Sequence, residues 1–219
     1  MNKPTQEYSI LQDVFDYYNR ELFDENLSPA LITFQRRRNA RGYFWARSFA
    51  ARKNPTLRTD EIALNPDTFI GRSDKEVMST LVHEMAHLWQ DNNGKPGKRG
   101  YHNRQWARKM LQLGLQPMAF DKHGNITGKM TGYRVSHAII PGGHFDEAAD
   151  RLLSTGFHLN WQSAVVVPPN TSGALTLQTG EQNRNKAKYT CPNCDQNAWA
   201  KPNARLICGF CNEKMERKG

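Results

Sequence analysis

Ser73-Asp74-Lys75-Glu76-Val77-Met78-Ser79-Thr80-Leu81-Val82-His83-Glu84-Met85-Ala86-His87 is the stretch of this 219-residue chain that decides its fold. Ser73 and Glu76 are spaced as a capping box, in which each side chain takes up the other's backbone N–H. The spacing predicts a helix from Asp74 to about Gln90. Stepped at about 100° per residue, Val77, Met78, Leu81, Met85, Leu88 and Trp89 fall on one side. His83 and His87 fall together on the opposite side. One face is therefore built to bury and the other to present ligands.

Two histidines four apart on a helix stand about 5.4 Å from each other along the axis, within reach of one zinc ion. The acid between them, Glu84, then stands where a general base must be to act on a water at that ion. A catalytic zinc needs a third protein ligand and one open position. Gln90 and Asn93 stand where a metzincin continuation would need glycine and histidine. Asp91 is the only acid between His87 and Phe120, and it is too close along the helix to fold back. His102 remains. Gly94, Pro96, Gly97 and Gly100 make the intervening segment a loop. A second helix is expected from about Asn103 to Leu113, with Trp106, Met110, Leu111 and Leu113 as its apolar residues.

Upstream, Ile10, Leu11, Val14, Phe15, Tyr18 and Leu22 recur at helical spacing, which predicts a helix over Gln6 to Phe23. Strands are expected near 31–37, 42–49 and 60–64, forming a small antiparallel sheet. Downstream, Arg134 to Ile140 reads as a strand, Asp146 to Thr155 as a short amphipathic helix, and Phe157 to Val167 as a second strand. These would make a small strand–helix–strand unit. Its histidines, His137, His144 and His158, are scattered in the manner of surface residues rather than of a metal site. Residues 168–187, with Pro168-Pro169, Gly173 and Gly180, read as a linker.

All four cysteines lie at the C-terminal end, in Cys191-Pro192-Asn193-Cys194 and Cys208-Gly209-Phe210-Cys211. Two such knuckles, thirteen residues apart, suit a closed tetrahedral structural zinc. The polar start, Met1 to Tyr8, carries no apolar leader, so a reducing cytoplasm is expected and disulfides are disfavoured. A module of about 30 residues also needs a staple to fold, which a metal supplies. No apolar run reaches membrane-spanning length.

The net charge is +9. Between Gln35 and Thr59 there are eight basic residues and no acid, and between Lys95 and Lys109 six and no acid. From Arg184 to Lys218 eight basic residues face three acids. Aromatic residues interleave with all three blocks. Phosphates attract such cations and unpaired bases stack on exposed rings. Arg36, Arg37, Arg38, Arg41, Trp45, Lys98, Arg99, Lys201 and Arg205 are the candidate nucleic-acid contacts. No base-reading motif is present, so sequence-independent binding is expected, with single-stranded DNA as the form that leaves bases free to stack.

His83-Glu84-Met85-Ala86-His87 on a helix, a long loop and Gly100-Tyr101-His102 ahead of a helix with a tryptophan resemble the SprT-like (Spartan-type) family of zinc metalloproteases. Phe23 and Leu27, the strand Leu31–Phe34, Gly42-Tyr43-Phe44 and Ile62-Ala63-Leu64-Asn65-Pro66 extend the likeness over about residues 8 to 115. The cysteine knuckles add a zinc ribbon of the kind often found after that protease part. The resemblance implies His83, His87 and His102 as ligands of a catalytic zinc and Glu84 as base. It also implies DNA-crosslinked proteins as substrates and DNA as an activator. The fold expected is α+β: a zincin-like protease domain over 6–120, a small αβ extension over 130–167, the linker over 168–187 and a ribbon over 188–219. A cytoplasmic zinc endopeptidase, nucleoid-associated if the source is bacterial, is the leading reading. A non-catalytic nucleic-acid-binding protein on a zincin scaffold is the alternative, and Glu84 disfavours it because a pure binding module has no use for an acid beside the ligands.

Overall fold

The computed structural model describes residues 4–164 and 187–218. The chain divides into two compact units, Met1–Ala174 and Leu175–Gly219. The first contains α1 (Pro4–Phe23), β1 (Ala30–Phe34), β2 (Gly42–Ala51), β3 (Asn54–Leu64), α2 (Asp74–Asn93), α3 (Arg104–Gln112), β4 (Leu115–Ala119), β5 (Val135–Ile139) and α4 (His144–Ser154). The second contains β6 (Ala187–Thr190), β7 (Asn197–Ala200) and β8 (Glu216–Lys218). The molecule is thus a mixed α+β protein with small sheets. Among the described residues no helix is long and apolar enough to cross a membrane.

The capping box at the start of α2 forms: Ser73 Oγ accepts the Glu76 amide at 3.3 Å, and Glu76 Oε2 accepts the Ser73 amide at 2.7 Å. The helix runs on to Asn93, where Gly94 closes it with a bond to the Gln90 carbonyl. Its apolar stripe is buried as expected, against α1 and the sheet. The histidine face is buried too. His83, Glu84, Ser79 and Thr80 all have less than a tenth of their surface exposed. A helix this deeply enclosed must find partners for every polar group it carries.

The first sheet has the order β1-β3-β2. It is mixed rather than antiparallel, because β2 and β3 form a hairpin whose return strand, β3, lies beside β1 and runs parallel to it. Two features set the position of β2. Asn65, buried directly after β3, donates from Nδ2 to the carbonyls of Arg37 and Ala40 at 2.9 and 2.8 Å. It thereby fixes the arginine-rich loop that leads into β2. Gly42, the first residue of β2, sits so close to β3 and α2 that a Cβ there would stand 2.8 Å from the Ala63 carbonyl oxygen on β3 and 3.3 Å from Glu84 Cγ on α2. Further along, the pairing skips between Trp45 and Phe49, and the freed Arg47 amide is taken up by the buried Asp60 carboxylate at 2.7 Å.

The segment after residue 114 departs from the expected strand–helix–strand unit. β5 forms as expected, but its partner is β4, a strand whose central Pro117 obscures it in the sequence. Residues 157–164 form no strand. Side-chain hydrogen bonds hold this stretch instead. Leu159 N donates to Asp74 Oδ2 at 3.2 Å, and the Asn160 backbone and side-chain nitrogens reach the two oxygens of buried Glu7 at 3.1 Å. Residues 165–167 and the expected linker up to residue 186 lie outside the described residues. α4 packs into the main core. Phe145 is fully buried near Tyr18, Ala148 and Ala149 share the same cluster, and the Tyr17 hydroxyl donates to the Ala148 carbonyl at 2.7 Å. Lys75 on α2 pairs with Asp146 and Asp150 on α4 at 2.6 and 2.5 Å.

The second unit is a three-stranded sheet of order β7-β6-β8. Its core consists of Tyr189, Cys191, Cys208 and Met215.

Removing the Phe145 ring would leave a cavity beside Tyr18. Phe145→Ala is expected to lower the stability of the first unit by about 3–5 kcal/mol, read from urea unfolding by helical circular dichroism. Gly42→Ala forces the start of β2 away from the β3 backbone and from α2 and is expected to cost about 1–3 kcal/mol in the same measurement.

Candidate metal centre

α2 supplies His83 and His87 one turn apart, and the Asn103-capped start of α3 supplies His102. One ring nitrogen from each lies within 4.8 Å of the others. The Nε2 atoms of His83 and His102 are 3.3 Å apart. Two nitrogens bound to one tetrahedral zinc at about 2.0–2.1 Å would be separated by about 3.3–3.4 Å. The His102 orientation is fixed: its Nδ1 donates to the Gly132 carbonyl at 3.1 Å, which leaves Nε2 with a free lone pair. Burial pushes the imidazoles towards their neutral, ligating form. It drives His83 well below its ordinary value, His87 down to about 3, and lowers His102 against the opposing pull of the Gly132 bond. The donor set therefore fits a divalent zinc.

Trp106 forms the floor of this site. Its ring centroid lies 4.8, 5.2 and 4.4 Å from those of His83, His87 and His102, and it is fully buried. The long loop between α2 and α3 is held by an amide network. Gln90 Nε2 donates to Asn103 Oδ1 at 2.7 Å and Gln105 Oε1 at 3.1 Å. Gln105 Oε1 also accepts the Lys95 amide at 2.8 Å, and Asn103 Nδ2 donates to the Lys95 carbonyl at 2.9 Å. Gln90, where a metzincin would place glycine, thus helps hold the segment that brings His102 back to α2.

Glu84 is buried on the same helix, turned toward β2, where its carboxylate accepts the Phe44 amide. Burial raises its pKa to about 8, against the lowering effects of that amide and of the Arg37 charge. A carboxylate in this setting holds a proton far more readily than one in water.

His137 departs from expectation. His144 and His158 are exposed, as surface residues would be. His137, on β5, instead places its Nδ1 3.0 Å from His83 Nδ1 and its Nε2 2.8 Å from Ser79 Oγ. Nothing in the spacing of the histidines indicates this. The usable signal is the mid-strand position of His137 on the same face as Val135 and Ile139, which needs β4 as pairing partner to be interpretable.

The four cysteines also converge. All are free thiols, their sulfurs lie within 4.8 Å of one another, and Cys194 Sγ is 3.6 Å from Cys208 Sγ. Zinc–sulfur bonds of about 2.3 Å in a tetrahedron give about 3.8 Å. The two knuckles are built alike. Asp195 N bonds the Cys191 carbonyl, Asn212 N bonds the Cys208 carbonyl, and both residues take left-handed φ values of 57° and 56°. Amides of Cys211 and Phe210 lower the Cys208 thiol, while the neighbouring thiols push Cys211 up.

Of the candidate nucleic-acid residues, Arg36, Arg37, Arg38, Trp45, Lys98, Arg99, Lys201 and Arg205 are exposed. Arg36 is engaged by Asp67 at 3.1 Å. Arg37 lies over the Tyr43 ring at 5.0 Å, and Arg99 over the Trp45 ring at 5.6 Å, which joins two basic blocks far apart in sequence. Arg41 does not belong with them. It is half-buried beside Arg72 and Glu76, and burial lowers its pKa. In the second unit Trp199, Ile207 and Phe210 are strongly exposed.

The SprT-like family profile matches residues 11–127. An uncharacterized protein encoded in the mucB 3' region of Salmonella typhimurium is 40% identical over 55 residues, covering 25% of this chain and 74% of that protein. No solved structure matches. With more than half of its length matched, the chain belongs to the SprT-like family, and metalloprotease-type chemistry is what membership of that family carries.

Proposed function

We propose that this protein is a zinc-dependent endopeptidase that cleaves DNA-bound or DNA-crosslinked proteins. The observation that carries the reading is the convergence of His83, His87 and His102 with Glu84 on the same buried helix. His83, His87 and His102 would hold the catalytic zinc, and Cys191, Cys194, Cys208 and Cys211 a structural one. Zinc at the histidine site supplies Lewis-acid polarisation of a water and of a substrate carbonyl. Glu84 takes the proton of the attacking water on its carboxylate and returns it to the departing amine. The charge of a zinc ion beside it would favour the ionised carboxylate, the form that accepts a proton. The Phe44 amide keeps the carboxylate in place while the proton moves.

The order β1-β3-β2 leaves β2 at the edge of its sheet. An extended peptide added along β2 would be gripped through its backbone, so that cleavage depends little on side-chain sequence. This arrangement of helix, edge strand and ligands is what the zincin-like reading of residues 6–120 requires. It favours a peptide over a non-protein substrate. The ribbon over 188–219 would serve as a tether, with Trp199 and Phe210 as stacking platforms beside Lys201 and Arg205. Four thiols as zinc ligands suit a reducing cytoplasm.

The enzyme reading is tested with a protein crosslinked to DNA, with and without added single-stranded DNA. Wild type is expected to cleave it, faster with DNA. Glu84→Gln is expected to keep two zinc ions per chain while cleavage falls by about 100-fold or more. Absence of cleavage by wild type, with DNA bound equally by both proteins, would instead make the chain a binding protein. For DNA binding, alanine at Arg38, Lys98 and Arg205 together is expected to weaken affinity uniformly across sequences. The slope of log affinity against log salt should fall by about 1 for each phosphate that is no longer neutralised.

A further inference from the structure

Resting on the zinc reading above, we propose that His137 is a positioning residue that sets the tautomer of His83, through a polarised chain that begins at the backbone of α2. The hydrogen bonds of that chain are consistent with one direction throughout. Ser79 Oγ donates its single proton to the Glu76 carbonyl at 2.8 Å, an acceptor that has no proton to give. With its proton placed there, Ser79 Oγ accepts from His137 Nε2, 2.8 Å away, and Nε2 carries the proton of a neutral His137. His137 Nδ1 is left with a lone pair. Its neighbour 3.0 Å away, His83 Nδ1, must be the donor. A neutral His83 protonated at Nδ1 presents a bare Nε2, and that is the atom facing His102 Nε2.

Without this chain, His83 would have a competing choice. It could protonate Nε2 and donate to the bare Nε2 of His102, 3.3 Å away, closing the site with a hydrogen bond instead of a metal. The His137–Ser79 pair removes that choice. Two acceptor nitrogens then point at one spot, which is stable only with a cation between them. His102 is held in the matching tautomer by Gly132, whose backbone N–H and C=O both bond the His102 backbone. Gly132 and His137 lie beyond residue 127, where the family match ends. The segment from 128 to 139 thus orients two of the three ligands, which assigns a role to a part of the chain whose sequence pattern suggests none.

The test is zinc affinity in the full-length chain, measured by competition with a chromophoric chelator, for His83→Ala, His137→Ala and His137→Asn. His83→Ala is expected to bind one zinc where wild type binds two. His137→Ala should keep both, one of them about 10–100-fold weaker, as for other outer partners of ligating histidines. His137→Asn places an amide oxygen near the position of Nδ1 and should restore affinity to within a few-fold of wild type. Wild-type affinity in His137→Ala, or no rescue by asparagine, overturns the relay. Two zinc ions retained in His83→Ala would instead mark the failure of the metal reading, and the relay would fall with it. Should His137→Ala not fold, nitrogen-15 NMR of zinc-loaded wild type decides the matter. A proton on His83 Nδ1 coupled to His137 Nδ1 is expected. A proton on His137 Nδ1 overturns the proposal.

Discussion

Glu84 has to be buried on α2 without being abandoned there, and much of the first unit follows from that constraint. An acid removed from water becomes harder to ionise unless something replaces the lost solvation. Here the replacement is one backbone amide, that of Phe44, together with the Arg37 charge. The amide can serve only if β2 lies against α2, which is why its first residue has no side chain. β2 in turn is held by β3 on one side and by the loop that Asn65 ties down. The Leu64-Asn65-Pro66 motif therefore acts on the site at a distance. Its asparagine sets the path of the chain that delivers the amide to the acid.

A second line of support comes from the other side of α2. The loop from Gly94 to Asn103 is rich in glycine and has little apolar content to fix it. It is instead fastened by four hydrogen bonds among Gln90, Lys95, Asn103 and Gln105. Trp106 completes the arrangement by packing against all three imidazoles at once, an aromatic wall that excludes water from their backs. Such a wall lowers the local dielectric, and the three rings stay neutral as a consequence. Ligand competence is thus a property of the packing, present before any ion arrives.

Sequence is most informative here where local rules decide the outcome. The capping box at Ser73 and Glu76, the helices α1, α2 and α3, and the convergence of His102 with His83 and His87 are all legible, because each depends on spacing along one segment or on elimination among few candidates. Sequence misleads where the answer lies in pairing between distant segments. Pro117 hides β4, and without β4 the strand carrying His137 has no neighbour and no defined facing. The absence of a strand over 157–164 has the same origin. Its hydrogen bonds go to Asp74 and Glu7, side chains that sequence pattern gives no reason to connect with it. Arg41 misleads for a related reason: charge in a basic run suggests exposure, but Arg41 is half-buried beside Arg72 and Glu76.

The two clusters of donors differ in what they ask of the fold. Four thiolates fill a tetrahedral ion, whereas three imidazoles leave a position open. The surroundings match that difference. Among the described residues the apolar centre of the cysteine unit is Tyr189, Met215, Cys191 and Cys208, far too little to hold a chain of that length by apolar burial. For it, folding and metal binding would be one equilibrium. The histidine site sits in a unit with a large core of its own, drawn from α1, α2, α3, α4 and the first sheet. There the protein can afford ligands whose geometry is fixed in advance by hydrogen bonds from Gly132 and His137. The open catalytic position proposed for the histidine site would depend on this separation. A site that depended on its ion for shape would collapse toward whatever donor was nearest, and the space needed for water and peptide would be lost.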